Sequence, residues 1–130
     1  MFVDASALVA ITRNEPEREE LLARFVSFRR GFWSPIACWE AISAVARSYE
    51  LPIDQAMVEV DHTAKVLQLT LVEIDRDELD AALDAYKRYG KRSHHPAKLN
   101  MGDCFAYACA KTNGAALLYK GDDFSHTDLA

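Results

Sequence analysis

The stretch Ala115-Ala116-Leu117-Leu118-Tyr119, followed at once by Lys120-Gly121-Asp122-Asp123, carries the fold. Five apolar or aromatic residues without a polar break, bounded by turn residues, read as a strand buried on both faces rather than one with a wet side. Gly121 and the two acids then turn the chain away. Phe2-Val3, ended by Asp4, repeats the pattern near the start of the chain. Phe32-Trp33 and Leu71 to Ile74 are two further strand candidates.

Helical patterns fill the intervals. Ser6 to Ile11 predicts a short helix broken by Asn14-Glu15-Pro16. From Glu17 to Phe28, Leu21, Leu22, Phe25 and Phe28 recur at helical spacing, with acids early and Arg29-Arg30 late, the charge order a helix dipole favours. Ser34-Pro35 offers a capping hydroxyl followed by proline at the first helical position, so a helix should run from there to about Tyr49 and end at Leu51-Pro52. Asp54 to Leu69 and Asp75 to Tyr89 are two more, the second stopped by Gly90. Asn100 opens a last helix to about Thr112, closed by Asn113-Gly114 in a left-handed cap. Short apolar strands alternating with helices imply an α/β layer fold on a parallel sheet, one domain over residues 1–130. In such sheets ligands sit beyond the carboxyl ends of the strands. Two of the expected strands run straight into acids there, at Asp4 and at Asp122-Asp123.

The bulk properties narrow the function. Half the residues are hydrophobic and 27% charged, ordinary for a globular domain. No apolar run reaches the roughly 20 residues that span a bilayer, and no basic-then-apolar opening signals secretion. Three cysteines, Cys38, Cys104 and Cys109, are an odd number without metal-ligand pairing and suit buried thiols in a reducing cytoplasm. A net charge of −5 argues against nucleic-acid binding by broad electrostatics alone. Yet Lys87 to Lys98 holds five Lys/Arg, two His and no acid; such a run is either a solvated face or a basic strip beside a site. There is no phosphate-binding GxxxxGK[ST] loop and no GxSxG nucleophile elbow, and His94-His95 sit side by side without zinc spacing.

Four acidic positions stand beside small or apolar residues. Asp4 follows the first strand, and Asp122 or Asp123 follows the last. Asp103 falls at the third position of the Asn100 helix, where a capping box would account for it equally well. Glu40 lies inside the Ser34 helix among Ile36, Ala37, Ser43 and Ala44, a face on which a carboxylate is costly to bury without a cation. Each alone has an ordinary explanation as cap, turn or ion-pair residue. Taken together they are an oxygen donor set for a hard dication, able to orient a water and stabilise charge on a phosphate.

With those residues in place the sequence resembles VapC toxins of the PIN-domain family. MFVDASALVAI at residues 1–11, the Glu40 helix, LNMGDCFAYACAK at 99–111 and LLYKGDDFSHTDL at 117–129 carry the resemblance, in order and over essentially the whole chain. It implies a three-layer α/β/α fold with a central parallel sheet, and an endoribonuclease dependent on Mg²⁺ or Mn²⁺. It places the catalytic acids at Asp4, Glu40, Asp103 and Asp123, with Asp122 as the alternative to Asp123. Asp4 and Asp103 would be direct metal ligands, and Ser6 the polar residue that accompanies Asp4. The partners it implies are RNA, a second copy of the chain in a homodimer, and an inhibitory VapB-type antitoxin, in the cytoplasm and not at a membrane. Arg88, Lys91, Arg92 and Lys98, with Lys87, become candidate phosphate contacts, and Tyr86, Tyr89, His94 and His95 candidates for base stacking.

Three other readings fit the sequence less well. An RNA-processing or flap-type nuclease of the same superfamily would need more chain than 130 residues offer. A phosphate-transfer hydrolase with an aspartate nucleophile wants a second acid two residues after the first, where Ser6 stands. A catalytically silent interaction module would have no reason to fill all four acidic positions.

Overall fold

The computed structural model describes residues 1–130. Four two-residue strands, β1 (Phe2–Val3), β2 (Phe32–Trp33), β3 (Thr70–Leu71) and β4 (Leu117–Leu118), form one sheet in the order β3-β2-β1-β4. Every pairing is parallel, with Phe2 in register with both Phe32 and Leu117. The helices are α1 (Ala5–Thr12), α2 (Arg18–Val26), α3 (Pro35–Ser48), α4 (Ile53–Val66), α5 (Arg76–Tyr89) and α6 (Met101–Thr112).

Why the strands are wholly apolar is visible in where their side chains go. Successive side chains of a strand point to opposite faces. Phe2 and Leu117 therefore enter a core with α5 and α6, while Val3, Trp33 and Leu118 enter a second core with α1 to α4. The sheet is the middle of three layers, as the family resemblance implied.

Local chemistry sets the boundaries. Ser34 caps α3, accepting from the Ala37 amide at 3.1 Å, and Pro35 follows. Asp75 and Glu78 form a capping box on α5. Gly114 takes φ +57° between α6 and β4, a conformation that costs a side-chain-bearing residue more. The third strand is shifted from its expected place, occupying Thr70–Leu71 rather than Leu71 to Ile74. Pairing with Phe32 and Trp33 selects the earlier residues, although both are exposed at this edge. The basic segment is less loose than a plain loop. Lys91–Ser93 makes a short 3₁₀ turn, and the Leu99 amide donates to the Tyr89 carbonyl at 2.8 Å with Ala97 and Leu99 buried beneath.

The strand order places the site. From β1 the chain adds β2 and β3 to one side, then returns to lay β4 on the other side of β1. The topological switch thus lies between β1 and β4, where an open parallel sheet forms its crevice. Asp4 and the Lys120–Asp123 turn follow directly from those two strands.

Candidate active site

Asp4 is placed by being two things at once: the residue after β1 and the N-cap of α1. Its Oδ2 accepts from the Ser6 amide at 2.9 Å and from Ser6 Oγ at 2.5 Å, and the Lys120 amide donates to Ser6 Oγ at 3.0 Å. Ser6 therefore ties the end of β4 to the carboxylate at the end of β1. Asp4 is buried, and desolvation pushes its pKa up; the Ser6 and Ala5 hydrogen bonds oppose that rise, and nearby Asp123 adds to it.

Asp103 is a helix cap and a cavity-wall residue at once. It closes a capping box, accepting from the Asn100 amide at 2.9 Å while its own amide donates to Asn100 Oδ1 at 2.9 Å. It also faces Asp4 and Asp123 across a cavity. Burial lifts its pKa to about 6, helped by those two acids and opposed by the Asn100 bond and by Lys91.

Glu40 comes from the middle of α3, and no cation meets it. The burial cost foreseen for it surfaces instead as a pKa pushed up to about 7, by desolvation first and then by Asp4 and Asp103. Its carboxylate rests against Gly102: a β-carbon built on Gly102 would lie 2.0 Å from Glu40 Oε2. The glycine one residue before Asp103 is thus what lets α3 and α6 bring these two acids together.

Asp4, Glu40, Asp103 and Asp123 line a single cavity of about 460 Å³ at the switch point, with Ser6 in its wall. Asp122 does not line it; exposed, its carbonyl accepts from the Ser125 amide and hydroxyl in the following turn. No three acids converge into a ready-made ligand cage. The donors are all oxygen, the choice of a hard dication rather than zinc.

The cations of the cavity wall are not those the basic strip suggested. Arg47 and Lys120 line it, with Glu15 and Trp39. Lys120 Nζ is held at 2.8 Å by Glu15 and at 3.2 Å by Glu17, and Glu15 also accepts from the Tyr49 hydroxyl. Of the strip, Lys91 lies within electrostatic reach of Asp103. Arg88 is bound to Asp84 and to the hydroxyls of Tyr89 and Tyr107. Arg92 and Lys98 are exposed and outside the cavity. Tyr89 is buried with His95 edge-on at 4.9 Å, so that pair is spent on packing rather than open to a base. Trp39, Arg47, Lys120 and Glu15 went unforeseen; for the first two the signal was helical spacing, since residues 39, 43 and 47 run down α3 beside Glu40.

The sequence matches the PIN-domain family over residues 1–129. It is 43% identical to a VapC ribonuclease of Rhizobium meliloti, covering 98% of each chain. It is 40% identical to ribonuclease VapC of Mycolicibacterium smegmatis, over 100% of this chain and 98% of that one, and 38% identical to ribonuclease VapC30 of Mycobacterium tuberculosis, over 100% and 96%. Among solved structures, VapC20 of Mycobacterium tuberculosis, a sarcin-ricin-loop-cleaving toxin, superposes with a TM-score of 0.71 over 95% of this chain and 92% of that one; at 17% identity the likeness is one of fold. The chain belongs to the PIN-domain family and, within it, to the VapC ribonucleases.

Proposed function

We propose that the protein is the toxin of a type II toxin–antitoxin pair, an endoribonuclease that hydrolyses RNA phosphodiester bonds with Mg²⁺, or Mn²⁺ in its place. The observation that carries this reading is the meeting of Asp4, Glu40, Asp103 and Asp123 in one cavity at the switch point, with three of the four pushed above their ordinary pKa. Carboxylates so arranged repel one another until a cation neutralises them.

Asp4 and Asp103 would hold the ion, Ser6 keeping Asp4 Oδ2 turned to its place. A bound dication there supplies charge stabilisation at the phosphate and makes a coordinated water more acidic. Glu40, in the same cavity wall and without a cation of the protein against it, is placed to take a proton from the attacking water. Attack on phosphorus forms one P–O bond and breaks another, and the departing oxygen takes up a proton. Asp123 completes the acidic cluster, a reading supported by its place in the cavity wall, which Asp122 does not line.

Lys91, Arg92 and Lys98 offer sequence-independent contacts to the backbone phosphates. Arg88, tied to Asp84 and two tyrosines, contributes through its charge. A VapB-type antitoxin and a second copy of the chain are the protein partners of this reading, with the cytoplasm as its place. Exposed apolar side chains on α4 (Ile53, Met57, Val58, Val66) and on α5 and α6 (Leu79, Leu83, Met101) offer surface for them. No helix is long and apolar enough to cross a membrane.

Incubating total RNA with the purified, antitoxin-free chain tests the reading. Cleavage is expected with Mg²⁺ or Mn²⁺, and loss of cleavage with EDTA or in Asp4→Ala. Wild-type cutting by a folded Asp4→Ala variant would remove the proposed site.

A further inference from the structure

The α3 wall of the cavity carries a feature that the acid cluster does not use. The helix sends Ala37, Ala41 and Val45 into the interior. Trp39, on another side, is 70% exposed, whereas Trp33, the other tryptophan, is buried. A lone exposed apolar residue is ordinary on a protein surface. Trp39 differs in place and in company. It lines the carboxylate cavity beside Glu40, and no cation or ring of the protein sits on it, although Arg13, Arg24, Arg88 and Lys111 each lie over a tyrosine.

Two turns further along the same wall stands Arg47, exposed and without an ion pair or side-chain hydrogen bond. The other cation of the wall, Lys120, is already matched by Glu15 and Glu17. Arg47 is thus the uncompensated positive charge on an otherwise acidic rim. Its Cα lies about 12 Å along the helix from that of Trp39, at about 1.5 Å per residue. A broad aromatic face and a free guanidinium on one rim match the two parts of a single-stranded nucleotide: a base to stack and a phosphate to pair.

We propose that Trp39 and Arg47 form a subsite for unpaired RNA on the α3 rim, Trp39 stacking a base beside the bond to be cut and Arg47 taking a backbone phosphate. The proposal rests on the ribonuclease reading above and adds the binding of the strand to it. Stacking accepts any base face, so the subsite selects unpaired RNA over duplex rather than one sequence. An acidic cavity repels RNA, and this rim offsets that repulsion on the side where the strand enters.

Tryptophan fluorescence tests it without catalysis. In an Asp103→Asn variant with EDTA present, a short single-stranded RNA is expected to quench emission and shield it from acrylamide; an abasic strand of equal length is not. Trp39→Phe supplies the blank for the buried Trp33. Trp39→Ala is expected to bind RNA about tenfold more weakly, with an unchanged circular dichroism spectrum and elution volume, while Trp39→Phe retains most of the affinity. Arg47→Gln should lower the salt dependence of binding by about one phosphate contact. In the otherwise wild-type enzyme with Mn²⁺, Trp39→Ala should raise KM about tenfold and spare kcat. Unquenched emission with unchanged affinity in Trp39→Ala overturns the subsite. So does a shifted elution volume with RNA affinity intact, which would give this rim to a protein neighbour. Failure of the wild-type enzyme to cut any RNA overturns the ribonuclease reading instead, and is read independently of the quenching.

Discussion

Gly102 sets how close Glu40 comes to Asp103. A methyl group there would collide with the Glu40 carboxylate, the mobile end of a side chain rather than a piece of backbone. Gly102→Ala should therefore push the carboxylate aside and leave the fold standing. Cleavage is expected to fall on the order of 100-fold, as a displacement of about 1 Å can cause, with the melting temperature near wild type. The shorter Glu40→Asp chain makes room for the methyl, so adding Gly102→Ala to it should lose little more. Full additivity of the two losses would show that Gly102 acts elsewhere. Asp4 and Asp123 drew notice in the sequence because each follows a strand, and Glu40 because it lies on a face of small residues; Asp103, a capping-box residue, stood out only beside the others. Arg47 and Trp39 drew no notice. Which side of α3 faces the crevice depends on how the helix lies across the sheet, and helical spacing alone does not choose a side.

At the scale of elements, α1, α3 and α4 meet through small side chains. Ala7, Ala10, Ala41, Ala56 and Ala64 are all nearly or wholly buried between them. Close-packed interiors resist added volume. Ala41→Leu should destabilise the protein by about 1–3 kcal/mol, read as a lower denaturation midpoint at unchanged slope. It should also weaken activity, since Ala41 adjoins Glu40 and a shift of α3 carries that carboxylate along. Helix boundaries were legible here because caps are local: Ser34-Pro35, Asp75 and Asn100 act within a single turn. The third strand was displaced from its expected residues because a strand's span is set by its partner, and the partner of β3 lies far away in sequence. What the basic strip faces is likewise not written in its charges: it is set by the anchoring of Ala97 and Leu99.

For the molecule as a whole, the acid cluster couples stability to pH. Folding raises the pKa of Glu40 to about 7 and that of Asp103 to about 6, from ordinary values of 4.5 and 3.8. The folded state therefore holds protons that the unfolded chain gives up, and between those limits stability falls as pH rises. The stabilisation is complete below about pH 4 and gone above about pH 7. Without metal, the protein is expected to melt on the order of 5 °C higher at pH 5 than at pH 8. Mg²⁺ should restore most of that loss at pH 8 and add little at pH 5, where the carboxylates are protonated. Calorimetry across pH in EDTA and in Mg²⁺ checks both statements; a metal-free protein more stable at pH 8 would contradict the proposed clustering. Glu40→Gln should flatten the profile.

The position of β1 in the sheet also bears on timing. Its two residues feed the two cores separately, and its partner β4 comes after all six helices in the chain. Asp4 is thus translated early yet waits for β4, for the Lys120 amide that fastens Ser6, and for Asp123. The acid cluster cannot assemble until the chain has been made through Asp123. The cavity is therefore finished by the segment that follows the last helix, however early Asp4 itself is made.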